Sequence, residues 1–179
     1  MSKKLNNPQD QMLSAYDAYA DAIYRHCYYR LFNKDLAEDF TQEIFLRLFE
    51  YYNKGNEIKY IQSFLYKTAN NLIIDYVRKI KETSLDQMME NGFDPSKKMD
   101  DTLVNNIDAG MILEVMKQVD EMYRVPVLMR YVDGLKPKEI ARILGESENI
   151  VSVRIYRGVK MVKEILKKKE GGGALELQV

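Results

Sequence analysis

Apolar positions recur with a helical period along most of the chain, in two blocks separated by a polar stretch. The first block covers residues 9–80. Its first helix carries Met12, Ala15, Tyr16, Tyr19, Ile23, Cys27 and Leu31 on one stripe, and Asn33 to Asp35 ends that helix and starts the next. The second helix carries Leu36, Phe40, Ile44, Phe45, Leu48 and Phe49. Asn53-Lys54-Gly55-Asn56 interrupts the pattern. A third helix, from Gln62 to Ile80, carries Phe64, Leu65, Leu72, Ile73, Tyr76 and Val77.

Over residues 81–108 the periodicity fades. Asn91-Gly92 and Asp94-Pro95-Ser96 are turn signals, and seven acids against three lysines leave the stretch with a net charge of −4. The second block covers residues 109–169, with Ile112, Val115, Met116 and Val119 on one helix face and Val125, Leu128, Met129 and Val132 on the next. Residues 170–179 begin with a run of three glycines and read as a flexible tail. The pattern predicts an all-α chain: two small helical domains joined by a flexible acidic linker, the C-terminal one a helix-turn-helix.

That last element is the most specific signal in the chain. Pro137 suits the first turn of a helix, where its missing N–H is not needed. Ile140, Ala141, Ile143 and Leu144 follow, and the small Ala141 lets a second helix cross closely. Gly145 sits where a turn requires a permissive backbone. Ser147 can cap the next helix, and Glu148 suits its positive N-terminal end. Within that helix Val151, Ile155, Val159 and Val162 recur on one face, while Asn149, Ser152, Val153, Tyr156, Arg157 and Lys160 occupy the other. Arg offers a bidentate fork to a guanine edge and Asn an amide to adenine, so this second face suits a DNA major groove. In such helices the N-terminal part meets the bases and later residues meet phosphates.

Charge sharpens the reading. The chain has 27 basic and 27 acidic side chains, yet from Lys136 to Lys169 ten basic residues face four acidic ones, a local net of +6. A neutral protein with one basic segment implies a local DNA contact, or a partner that supplies much of the phosphate binding. One cysteine, Cys27, excludes an internal disulfide, and one histidine, His26, excludes a zinc-finger spacing; both lie in an apolar helical stretch and read as structural. There is no phosphate-binding glycine loop, no metal spacing and no Ser/His/Asp set, so neither an enzyme nor a cofactor-binding protein is expected. No apolar run approaches membrane-spanning length, and the N-terminus lacks the apolar core of a signal peptide, so a cytoplasmic chain with no membrane insertion is expected.

The helix-turn-helix, from Tyr131 through Gly145 and on through Ser147 to Lys160, resembles region 4 of the sigma-70 family, whose second helix reads the −35 promoter element. The first block resembles region 2. Asp35 to Leu48 is similar to the helix that docks on RNA polymerase, and Phe64 to Lys79 resembles the helix that reads and helps melt the −10 element. Regions 2 and 4 alone, in that order and joined by a short linker, resemble the extracytoplasmic-function (ECF) group, and the likeness spans Tyr16 to Lys167.

The resemblance implies a transcription initiation factor that binds core RNA polymerase and promoter DNA. Asp39, Gln42, Glu43 and Arg47 would meet the polymerase. Tyr60, Tyr66, Lys67, Asn70, Asn71, Arg78 and Lys79 would serve the −10 element, with the loop from Asn53 to Ile61 as one wall of a base pocket. Unstacking bases costs a few kcal/mol per step, which aromatic faces and amides offset by stacking and hydrogen bonding. Asn71 aligns with a position that contacts a flipped base, and its neighbour Asn70 leaves open which amide does so. Glu148, Asn149, Ser152, Val153, Arg154, Tyr156, Arg157 and Lys160 would serve the −35 element. The family commonly has Lys or Arg at the position of Ser152, Ser at Val153, Gly at Asn149 and Ala at Gly158. Gly158 is expected to weaken its helix by roughly 1 kcal/mol relative to Ala. An anti-sigma protein is a further partner that the family implies. The alternative is a helix-turn-helix regulator that binds duplex DNA without polymerase, with the first block as a dimerisation or sensor domain.

Overall fold

The computed structural model describes residues 7–90 and 107–172, which form seven helices and no strand. The all-α expectation holds for these residues. The chain divides into two compact units, residues 1–100 and 101–179.

In the first unit, α1 (Pro8–Leu31) opens with the Asn7 side chain accepting the Gln9 N–H at 3.1 Å and with Pro8 in its first turn. Phe32 ends it in the left-handed region, at φ 52°, and its N–H donates to the Tyr28 carbonyl at 2.7 Å. That conformation is costly for a bulky residue; here it reverses the chain in two residues. Asn33 then caps α2 (Lys34–Asn53), its side chain accepting the Leu36 N–H at 2.9 Å. The two helices pack as a hairpin, and α3 (Ile61–Glu90) lies against both. Ile23, Cys27, Ala37, Ile44, Leu48, Leu65, Ala69 and Ile73 are wholly buried between them. His26 is buried with its ring edge-on to Tyr66, which agrees with the structural reading of His26 and Cys27. Tyr16, expected on the inner stripe, is exposed, with its ring in an edge arrangement 4.9 Å from that of Phe45.

α3 continues through Glu90, well past the expected end at Ile80, because residues 81–90 contain neither glycine nor proline; the first breaker is Asn91-Gly92. The rest of the expected linker up to residue 106, and the expected tail beyond Gly172, lie outside the described residues.

The second unit comprises α4 (Ile107–Gln118), α5 (Glu121–Tyr131), α6 (Pro137–Leu144) and α7 (Glu148–Gly172). Each of α4, α5 and α6 packs against α7. The Asp120 carboxylate accepts the Met122 N–H at 2.9 Å and starts α5. α6 begins with Pro137, as its sequence implies, and the Glu139 carboxylate accepts the Lys136 N–H at 2.7 Å. Gly145 ends α6 at φ 71° with its N–H on the Ala141 carbonyl, a conformation that glycine adopts without steric cost. Ser147 then caps α7: its hydroxyl accepts the Ile150 N–H at 3.3 Å.

Gly158 has a role that helix propensity does not reveal. A Cβ there would lie 2.6 Å from Cγ2 of Val127 and 3.0 Å from the Tyr123 carbonyl oxygen. The glycine is what lets α7 cross α5 at this distance, so its poor helix propensity is offset by packing.

Candidate nucleic-acid interface

On α7, Val151 is wholly buried, Ile155 nearly so, and Val159 and Val162 are half-buried. These four side chains fix the rotation of the helix against its unit. The opposite stripe is thereby exposed: Asn149, Ser152, Val153, Tyr156, Arg157 and Lys160 follow one another at i, i+3, i+4, i+7, i+8 and i+11, with Glu148 exposed at the helix start. α6 and its glycine turn deliver this helix end, and the Ser147 cap removes one of its unsatisfied N–H groups.

Arg154 does not join the stripe as expected. Its Nη1 donates to the Glu146 carboxylate at 2.6 Å, and each of the two side chains keeps only 26% of its exposure. Glu146 precedes the helix and Arg154 sits in its second turn, so the pair braces α7 against the turn. A partly covered charge-assisted bond of this length is stronger than a solvated surface pair. Nothing in the sequence marks this partner, because it is eight residues away and across a turn.

In the first unit, α3 sorts its residues by the same periodicity. Lys67, Asn71, Ile74 and Arg78 recur at i, i+4, i+7 and i+11, and all are exposed, with Lys79 exposed beside Arg78. Arg78 pairs with Asp75 at 3.0 Å, both solvated, a pair too screened to withhold the guanidinium from a phosphate. Tyr60 is exposed at the end of the loop before α3, with the Lys59 ammonium 5.5 Å from its ring centroid. The loop is tied back by the Asn56 amide donating to the Tyr51 carbonyl, and the Tyr51 ring lies against Phe64.

Two expected members fall on the inner face. Tyr66 is 0% exposed and Asn70 8% exposed. Their burial removes them from a DNA-facing surface, because α3 turns positions 65, 66, 69, 70 and 73 toward α1 and α2. Asn70 instead accepts a hydrogen bond at 2.6 Å from Nη1 of Arg30, itself buried. Sequence inspection leaves the choice between Asn70 and Asn71 open; the packing presents Asn71 at the surface. Arg30 escapes sequence reading because its partner lies 40 residues away.

On α2, Asp39, Gln42 and Arg47 are exposed and Glu43 half-exposed, with Glu43 and Arg47 paired at 2.7 Å along the helix. Leu46, which polar patterning passes over, lies among them with 52% of its surface exposed. Among the described residues, no cluster of His, Cys, Asp and Glu could hold a metal ion, and no helix is long and apolar enough to cross a membrane.

Comparison with known proteins agrees with this division of the chain. The family model for sigma-70 region 2 matches residues 15–83, and that for sigma-70 region 4 matches residues 109–162. The ECF RNA polymerase sigma factor SigW of Bacillus subtilis is 29% identical over 173 residues, which cover 89% of this chain and 90% of SigW. The ECF RNA polymerase sigma factor BldN of Streptomyces coelicolor is 26% identical over 158 residues; the match covers 84% of this chain and 58% of BldN. Among solved structures, the sigma factor RpoE in complex with the anti-sigma factor NepR, from Bartonella quintana, is similar with a TM-score of 0.71 at 16% identity, covering 89% of this chain and 96% of that one. CnrH in complex with the cytosolic domain of CnrY is similar with a TM-score of 0.65 at 14% identity, covering 89% and 90%. Both regions are matched in order, with ECF relatives aligned along most of the length, and the chain belongs to the ECF group of the sigma-70 family.

Proposed function

We infer that this chain is a dissociable, non-catalytic subunit of bacterial RNA polymerase that selects promoters and helps open them. It acts in the cytoplasm, where the polymerase works. The observation that carries the reading is the presence, on one chain and in order, of two exposed helical stripes with different chemistry. The α7 stripe has the hydrogen-bonding groups for a duplex groove. The α3 stripe has cations and an amide beside an exposed aromatic, the chemistry needed to hold a strand and its unstacked bases.

In this reading Glu148, Asn149, Ser152, Val153, Tyr156, Arg157 and Lys160 face the −35 element, and Arg154 supports them through Glu146. Tyr60, Lys67, Asn71, Arg78 and Lys79 serve the −10 element, with Asn71 as the base-contacting amide and Asn70 holding the helix beneath it. Asp39, Gln42, Glu43 and Arg47 orient α2 on the polymerase, and Leu46 supplies the apolar centre that such a contact needs. An anti-sigma protein is a further partner in this reading, since the similar RpoE forms a complex with the anti-sigma factor NepR.

The test is transcription in vitro. Purified core polymerase with this chain, on a pool of genomic fragments, is expected to give transcripts with defined start points that core polymerase alone does not give. A chain that shifts duplex fragments tightly on its own, yet adds no start point to core polymerase, would instead be a polymerase-independent regulator.

A further inference from the structure

The exposed stripe of α7 is chemically uneven. Val153 lies at its centre, 41% exposed, between Asn149 and Ser152 on one side and Tyr156 and Arg157 on the other. Arg154, the next residue, is turned aside onto Glu146. The first two turns of α7, the part of such a helix that meets base edges, therefore offer the Glu148 carboxylate, an amide, a hydroxyl and the apolar side chains of Ile150 and Val153, and no cation on the stripe before Arg157.

A lone exposed valine on a protein surface needs no explanation. This one stands at the centre of the stripe, among Asn149, Ser152, Tyr156 and Arg157, with exposed Ile150 one turn before it at the stripe's edge. Valine has essentially one side-chain rotamer in a helix, so its two methyl groups are held in place before any DNA arrives. The isopropyl group neither donates nor accepts a hydrogen bond, and a polar base edge pressed against it would lose water without gaining a partner. Of the groups the major groove displays, only the C5 methyl of thymine is apolar.

We propose that Val153 is a specificity-determining residue that selects thymine in the −35 element by packing its methyl groups against the thymine C5 methyl. The proposal rests on the promoter-reading function inferred above. Thymine and uracil present the same hydrogen-bonding groups and differ only in that methyl, which makes the pair a selective probe.

The experiment uses holoenzyme formed from core polymerase and the full chain, on a promoter taken from the transcription assay. Each −35 thymine is replaced in turn by deoxyuridine, and the holoenzyme concentration giving half-maximal open complex is measured. At one thymine the replacement is expected to raise that concentration about fourfold, the effect of burying one methyl-sized group. Holoenzyme carrying Val153→Ala, which lacks both γ methyls, is expected to discriminate thymine from uracil less at that position, while its response to other substitutions stays unchanged. The substituted side chain is exposed and alanine favours helix, so the variant folds. Wild-type holoenzyme that is indifferent to uracil at every −35 position, a −35 element without thymine, or a uracil effect that is undiminished in Val153→Ala overturns the proposal. Complete absence of specific transcripts overturns the promoter-reading function itself, and is distinct from a transcribing enzyme that ignores the methyl group.

Discussion

Asn70 and Asn71 are adjacent and chemically identical, and the fold gives them opposite surroundings. Asn70 holds the buried Arg30 guanidinium, and Asn71 faces solvent. Asn70→Ala is expected to lower stability by about 1.5–3 kcal/mol, the usual worth of a hydrogen bond to a charged group, as measured by urea unfolding. Asn71→Ala is expected to leave the unfolding curve unchanged and to reduce promoter opening at full polymerase occupancy. Gly158→Ala inverts the usual helix rule. Its Cβ meets the stiff Val127 side chain and the Tyr123 backbone, so urea unfolding of the variant is expected to reveal a loss of about 1–3 kcal/mol despite the better propensity of alanine. Burial pushes the Tyr52 phenol above its ordinary value of 10.0, and burial followed by the nearby Glu38 carboxylate does the same for Tyr24. The folded chain keeps these phenols protonated where the unfolded chain ionises them. Their contribution is complete below about pH 10 and is lost as pH rises through the folded values. Urea midpoints are expected to fall above pH 10, and less steeply in Tyr52→Phe. None of these residue-level facts was legible in the sequence, since each depends on a neighbour that is distant along the chain or on a helix crossing.

At the scale of elements the sequence carried more. The Pro137 start, the Gly145 stop and the Ser147 cap were readable from residue type alone, because each answers a local backbone requirement. So were the helix junction at Asn33 to Asp35 and the break at Asn53 to Asn56. α3 runs through Glu90, past the point where its amphipathic pattern fades, because a helix without a breaker continues. On α2, the charged side chains stood out and Leu46 did not, since an exposed leucine becomes visible only once the inner face of the helix is known. Surface charges tune the orientation and rate of an encounter, and a central apolar residue carries more of its affinity. Leu46→Asp is therefore expected to weaken binding to core polymerase by more than about tenfold in a titration, a loss of at least roughly 1.4 kcal/mol, with the unfolding midpoint unchanged.

For the whole molecule, the balance of 27 basic and 27 acidic side chains sets how it works. A neutral chain gains little from counterion release outside its basic segment, so its hold on duplex DNA depends on tethering to a polymerase that supplies further phosphate contacts. The α7 and α3 stripes belong to separate units, and in the proposed function polymerase sets both on one promoter. This chain and core polymerase are together expected to open a promoter that neither opens alone. Permanganate footprinting reads it directly, because it modifies thymines that have left the stack. With both components present, thymines from the −10 element to the start point are expected to become reactive, and with either component alone they stay protected. Reactivity with core polymerase alone, or a duplex bound by the chain and polymerase without any reactive thymine, would contradict the account.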